Sequence, residues 1–213
     1  MVSADSLFEK KQYTESMELY ERFFHSGYYT PRMLIRLSLI KEGLGDYTYA
    51  LYYLNVYYTK IPDKSVLKKM DELAARYNLE GYDYNDLVFF ISLYHRYYIY
   101  IVFAFLGASL LFLIYLYIKK LEGSGMGLRP LLFMLILGAV YVISNYDIIP
   151  EKAIVNSDAS LMSAASSGAD LLGHIKKGHR VTIKSRKDIW CKIEWHGQIA
   201  FVRENNLLFP VGK

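Results

Sequence analysis

Residues 99–118 read IYIVFAFLGASLLFLIYLYI, an uncharged run of 20 residues. At ~1.5 Å per residue, a helix of this length spans ~30 Å, the thickness of the hydrocarbon core of a bilayer. A second run, residues 131–149, reads LLFMLILGAVYVISNYDII and turns polar only near its end. Neither run shows the polar stripe that long helices of soluble proteins carry. The pattern therefore favours two transmembrane helices over the alternative, a buried helical hairpin of a soluble protein.

The charges flanking these runs predict an orientation. The short turn between the runs carries Lys119, Lys120 and Arg129, whereas the outer flanks carry Arg96 and Lys152. Because cytoplasmic loops are enriched in Lys and Arg, the turn is expected in the cytoplasm. Both remaining parts of the chain would then be periplasmic, on the outer side of an inner membrane. The inverted topology stays open, because an exported N-terminal part requires a signal peptide upstream of residues 2–4, Val-Ser-Ala, which resemble the end of one.

Small residues lie near the middle of both runs. Close backbone approach at small residues is what packs membrane helices together. We therefore expect the two helices to pack on each other, or on a partner, at Gly107, Ala108, Gly138 and Ala139.

The N-terminal part repeats with a period of 34 residues. Tyr13 recurs as Tyr47, and Ser16 recurs as Ala50. A period of ~34 is that of the tetratricopeptide (TPR) repeat, a pair of antiparallel helices. Residues 66–77 then show the i, i+3, i+4, i+7 spacing of an amphipathic helix, which is expected to cap the stack. The sequence predicts a TPR-like helical domain.

Stacks of this kind bind partners in their concave face. In the second repeat that face would present Arg32, Ile35, Leu39 and Glu42. The alternative is that these four residues are ordinary solvated positions on the helix surface.

The C-terminal part alternates apolar and polar residues. Short strands are predicted at 161–163, 171–175, 180–185, 189–195 and 199–202, separated by turns rich in Gly, Ser, Lys and Asp. Five or six short strands in so short a segment predict a compact β-barrel. Alternation places Cys191 and Ile193 on the core face, which leaves Trp190 on the more exposed face.

Three segments of this part resemble a bacterial SH3 domain. They are LGHIKKGHRV at 172–181, IWCKI at 189–193 and GQIAFV at 197–202. The resemblance implies an SH3-like barrel. Trp190 with Trp195 or Phe201 would form its binding patch, and the alternative is that a half-exposed Trp is purely structural.

Catalytic and metal-binding patterns are missing from the sequence. A single cysteine, Cys191, excludes an intramolecular disulfide and a cysteine-based metal site. The five histidines show no ligand spacing, and GSGMG at 123–127 lacks the lysine and the strand-to-helix context of a phosphate loop. A net charge of +4 is too small to indicate nucleic-acid binding. The prediction is a non-enzymatic protein without a metal or cofactor.

The order of these parts resembles the BatE family of the Bacteroidetes aerotolerance (Bat) operon. The resemblance implies an inner-membrane accessory protein that works beside von Willebrand A-domain Bat proteins and a MoxR-type AAA ATPase. The expected function is a membrane scaffold that holds two binding modules close together and so raises the effective concentration of their partners. The alternatives are a peptidoglycan-associated anchor that recruits a wall enzyme and a cytoplasmic-facing regulator of inverted topology.

The predicted architecture is thus α, a membrane helical hairpin and a small all-β barrel. Its segments are a TPR-like helical domain (1–80), an interfacial amphipathic segment (81–98), a first transmembrane helix (99–118), a cytoplasmic turn (119–130), a second transmembrane helix (131–149) and a bacterial SH3-like barrel (150–213).

Overall fold

The computed structural model describes residues 2–83, 86–121, 129–145 and 151–210. The chain forms two compact units, Met1–Phe89 with Pro150–Lys213, and Phe90–Ile149. The first unit therefore joins the chain on both sides of the apolar segment, and we call it the head.

Five helices form the N-terminal half of the head. They are α1 (Val2–Glu9), α2 (Tyr13–His25), α3 (Pro31–Gly43), α4 (Tyr47–Lys60) and α5 (Lys64–Arg76), and each packs against the next. Three of them begin at a side-chain cap that accepts a hydrogen bond from a free backbone N–H, as expected of Thr and Asp at this position. These caps are Thr30 for α3, Asp46 for α4 and Asp63 for α5.

A buried arginine ties the first three helices together. Arg36 on α3 is buried, and its guanidinium donates to Asp5 Oδ1 at 2.6 Å and to the Tyr20 hydroxyl at 2.9 Å. The same side chain also donates to Glu9. Because a buried guanidinium must be paired, these contacts fix the short helix α1 against α2 and α3.

The C-terminal half of the head is one antiparallel sheet of seven strands. These are β1 (Glu151–Val155), β2 (Ala159–Met162), β3 (Leu171–Ile175), β4 (Arg180–Lys187), β5 (Trp190–Trp195), β6 (Gln198–Arg203) and β7 (Leu207–Leu208). Their order in the sheet is β3-β2-β6-β5-β4-β1-β7. The predicted strands are confirmed as an antiparallel sheet. Strands β3 and β7 are its two edges in the described residues, so the sheet does not close there as a hydrogen-bonded barrel.

Alternation along the strands builds the core of the sheet. Val181, Cys191, Ile193 and Val202 are buried in one apolar cluster with residues of β1 and β2. The predicted burial of Cys191 as a small apolar side chain is confirmed. Two strands were not predicted. The run at 153–155 in β1 is apolar throughout and shows no alternation, and β7 has only two residues.

The second unit contains long apolar helical segments. Helix α6 runs unbroken over Asp86–Leu121, and helix α7 covers Arg129–Asn145. Helix α6 is continuous across residue 98, the predicted boundary between an interfacial segment and a first span, and that boundary stays a prediction. The stretch Arg96–Leu121 is long and apolar enough to cross a membrane by length and composition, and 6 % of its most apolar window is buried. Helix α7 is shorter, with an apolar stretch at Phe133–Val142.

Candidate functional site

An exposed apolar stripe runs along helix α3. Ile35 is 38 % exposed and Leu39 is 56 % exposed, although both are large aliphatic residues. Arg32, one turn before Ile35, is also exposed, and its Nη2 lies 3.8 Å from Glu9 Oε1. Spacings of three and four residues place these side chains on one helix face. We call Arg32, Ile35 and Leu39 the α3 stripe.

Glu42 does not belong to this surface, and its prediction as a presented residue is wrong. Its carboxylate lies 2.8 Å from Lys69 Nζ and 3.4 Å from Arg76 Nη1, and its side chain is 17 % exposed. Both partners lie on α5, so Glu42 joins α3 to α5. Sequence spacing alone does not reveal partners 27 and 34 residues away.

Trp190 is buried, which contradicts its predicted exposure. It is 8 % exposed, and the guanidinium of Arg203 lies 5.6 Å from its ring centroid. Trp190 faces Arg203 across the β5–β6 ladder, on the side of the sheet opposite Cys191. The long side chain of Arg203 thus lies over a position that alternation predicts to be open to solvent.

The three aromatic residues of the predicted patch do not share one face. Phe201 pairs with Lys192 and lies on the face of Trp190, whereas Trp195 packs against the opposite, core face. Positions of odd separation along a strand point to opposite faces, and 190 and 195 are such a pair. A patch of Trp190 and Phe201 is compatible with this register. Trp195 is not part of it.

Three of the four small residues of the apolar segment can be compared with the helix-packing prediction. A Cβ built on Gly107 or Gly138 would have no atom within 4 Å, and Ala108 is exposed. Within this unit the described contact between the helices is the stack of Phe112 on Phe133, with ring centroids 4.7 Å apart. Among the described residues, neither glycine lies at a contact between the two helices. Packing on a partner there stays a prediction, and the Ala139 side chain lies outside the described residues.

The two halves of the head meet at a junction that the sequence analysis did not predict. The Arg180 N–H donates to the Glu80 carbonyl at 3.0 Å, and the Arg180 Nε donates to the Gly81 carbonyl at 2.7 Å. The Tyr82 hydroxyl donates to the Gly178 carbonyl at 2.7 Å. Ile154 of β1 is fully buried in the apolar core of the helices. The sequence contains one sign of this junction, the continuous apolar run at 153–155. A strand that is apolar on both faces is typically covered on both faces, here by the sheet core and by the helices.

Histidines surround this junction. His179 Nδ1 accepts the Glu80 N–H at 3.0 Å, so the neutral ring is the hydrogen-bonded form. His196 Nε2 lies 2.5 Å from the Glu80 carboxylate and stacks on Trp195. Burial lowers the pKa of His179 below its ordinary value, although the nearby Glu80 carboxylate acts in the opposite direction. The neutral form of His179 is therefore favoured in the folded head.

Two cations face the helices at the same junction. Burial lowers the pKa of Arg180, and burial together with the charge of Arg180 lowers the pKa of Lys152 to about 8. Burial also raises the pKa of Tyr82 above its ordinary range. Arg180 remains charged at neutral pH because a guanidinium does not lose its proton in that range.

No group of three or more His, Cys, Asp or Glu side chains able to hold a metal occurs in the described ranges. No family model matches the chain, and no curated protein matches it. Among solved structures, the chain is similar to one titled "Structure of NlpC2 from Trichomonas vaginalis", with 21% identity and a TM-score of 0.28. The match covers 29% of this chain and 23% of that one, and at this score it carries no argument about function.

Proposed function

We propose that the protein is a non-enzymatic scaffold anchored in a membrane by a hairpin of α6 and α7. The head would bind partner proteins, and the hairpin would hold it at the bilayer. The observation that carries this proposal is that residues 2–83 and 151–210, which lie on either side of the apolar segment in the sequence, belong to one compact unit.

The shared core supports two crossings rather than one. Ile154 is buried among the helices, and Arg180 is hydrogen-bonded to the linker after α5. Two chain segments that share a core must lie on the same side of a bilayer. If α6 crosses the membrane, the chain must therefore return before residue 151. Helix α7, with its 17 residues and high apolar content, is the described segment suited to that return.

The exposed apolar surface of α6 supports the membrane location. Phe103, Leu111 and Tyr117 are each more than three-fifths exposed. Soluble monomers rarely expose contiguous apolar surfaces of this extent, because leaving them in water is unfavourable by about 25 cal/mol per Å². A lipid environment removes that penalty.

The helices of the head support the TPR-like interpretation. Helices α2 and α4 begin 34 residues apart, at Tyr13 and Tyr47. The equivalent small residues Ser16 and Ala50 are both fully buried, as close helix packing requires. The α3 stripe then lies on the helix that would line a partner-binding face. The strands and their tight turns are likewise compatible with an SH3-like module.

The proposed partners are membrane proteins, and the resemblance to the BatE family makes von Willebrand A-domain proteins and a MoxR-type AAA ATPase the first candidates. Burial of Trp190 makes wall binding less favourable, because sugar-binding surfaces present exposed aromatic rings. The scaffold is therefore proposed ahead of the peptidoglycan anchor.

Site-specific labelling tests the topology. Single cysteines are placed at Ser26 and at Ser160, which are exposed residues in the two halves of the head. A membrane-impermeant maleimide is then applied to intact spheroplasts, and the buried Cys191 serves as the unlabelled reference. Labelling of both sites supports a periplasmic head, and protection of both supports the inverted topology. Labelling of one site alone would contradict the hairpin.

Co-purification tests the scaffold. The tagged full chain is extracted in mild detergent, and co-purifying proteins are compared between wild type and Leu39→Asp. Tyr28→Asp is the matched control, because Tyr28 is also an exposed large side chain but lies in a loop outside the α3 stripe. Loss of membrane-protein partners in Leu39→Asp alone supports the proposal. Recovery of the protein by itself, or of wall fragments, would refute it.

A further inference from the structure

Two cationic side chains share the face of the sheet that meets the helices. In the β1–β4 ladder Lys152 pairs with Thr182, and Ile154 pairs with Arg180. Residues two apart on a strand point to the same side, so Lys152 and Arg180 lie on the side of Ile154, which is buried among the helices. Diagonal neighbours of this kind are ~7–8 Å apart at the backbone, which long side chains can bridge.

Arg180 is held firmly but is not neutralised. Its Nε donates to the Gly81 carbonyl, and its guanidinium lies 4.6 Å from the centroid of the Tyr82 ring. Its terminal nitrogens form no hydrogen bond or ion pair with any residue in the described ranges 2–83, 86–121, 129–145 and 151–210. The carboxylates of Asp83 and Asp71 favour its charged form electrostatically, but neither forms an ion pair within 4 Å.

Lys152 is the second cation of the pair. It is partly buried, and within the described part of the chain its ammonium has no ion-pair partner. Burial and the charge of Arg180 disfavour its charged form, and the carboxylate of Asp83 acts in the opposite direction. Two neighbouring cations that are partly or fully buried and form no ion pair destabilise a fold, and an anion bound between them would reduce that penalty.

We propose that Lys152 and Arg180 form a binding site for a phosphate group. The guanidinium fork can donate to two phosphate oxygens, and the ammonium can donate to a third. The inference rests on the proposed membrane hairpin, because Lys152 is the third residue after the apolar run 131–149 and Gly81 lies five residues before helix α6. Lipid headgroups, which lie at the ends of a membrane-spanning helix, are the first source of such a phosphate. Free phosphate has the same chemistry and is the second source.

The site is tested on the full chain in a maltoside detergent, which contains no phosphate. Acetylation of individual lysines is followed by mass spectrometry, with dihexanoyl phosphatidylglycerol, inorganic phosphate or chloride added. We expect acetylation of Lys152 to slow about fivefold when the site is four-fifths occupied, because only the free fraction reacts. Lys187, an exposed lysine on β4, is the internal reference and should not change.

Variants make the assignment specific. Lys152→Gln should lose the rise in unfolding temperature that the phosphate compound produces in wild type, whereas Lys187→Gln should keep it. Protection by phosphatidylglycerol alone assigns the site to lipid headgroups, and protection by inorganic phosphate assigns it to soluble phosphate. Equal acetylation of Lys152 in all three additions overturns the inference. The cysteine labelling described above judges the hairpin separately, so failure of one is distinguishable from failure of the other.

Discussion

Replacing Gly81 by alanine should detach the linker after α5 from strand β4. Gly81 has a φ of +88°, which an L side chain rarely adopts. A Cβ at this position would lie 2.0 Å from the carbonyl oxygen of Arg180 and 2.9 Å from its carbonyl carbon. Because both contacts are with backbone atoms, no change of rotamer relieves them, and β4 or the linker must move.

The magnitude follows from the contacts that this movement breaks. A positive φ costs a residue with a Cβ about 1–2 kcal/mol. Loss of the Arg180 N–H bond to Glu80 adds about 1 kcal/mol, and loss of the charged Arg180 Nε bond to Gly81 adds about 1.5–3 kcal/mol. The expected decrease in the free energy of unfolding is about 3.5–6 kcal/mol, a large part of the total stability of an ordinary domain.

Gly45→Ala is the matched control. Gly45 also has a positive φ, +75°, but no atom lies within 4 Å of a Cβ built there. It should lose only the conformational contribution of about 1–2 kcal/mol. Pulse proteolysis in urea on the full chain in detergent measures both variants, and hydrogen exchange at the Arg180 amide reports the junction directly. Equal losses for the two variants, within about 0.5 kcal/mol, would refute the assigned role of the junction.

Three further predictions concern the head. Thr48 is buried and its hydroxyl has no partner in the described residues, so Thr48→Val should raise the free energy of unfolding by about 1 kcal/mol in urea denaturation. Thr59→Val is the control and should not raise it, because it loses the 2.7 Å hydrogen bond from the Thr59 hydroxyl to the Val56 carbonyl. The fold lowers the pKa of His179, so stability should fall as the pH drops below about 6.5, where the unfolded chain takes up a proton more readily. His179→Asn keeps a hydrogen-bond acceptor but does not titrate. An equally steep pH dependence in this variant would contradict the assignment of that dependence to His179. Glu42→Gln should lose about 1 kcal/mol at low salt and less at ~1 M salt, and a salt-independent loss would argue against the ion pairs with α5.

Predictions from periodicity agreed with the structure where the pattern depends on neighbouring residues. The period of 34 predicted helices at equivalent positions, and α2 and α4 begin 34 residues apart, at Tyr13 and Tyr47. Alternation predicted strand β3 to the residue. Exposure was predicted less well. Trp190 lies on the face that alternation assigns to solvent, but Arg203 covers it. Glu42 lies on the predicted helix surface, but two side chains of α5 bind it.

The sequence by itself determined most of the helices and strands and the apolar segment. These features are local: helix and strand periods, helix caps and an uncharged run of membrane length each depend on residues close together in the sequence. Only the tertiary structure decided that the helices and the sheet form one head. That contact joins Gly81 to Arg180, 99 residues apart, through backbone carbonyls and the burial of Ile154. Every residue has the same backbone carbonyl, so no pattern of side chains predicts which carbonyls will accept hydrogen bonds from a distant strand.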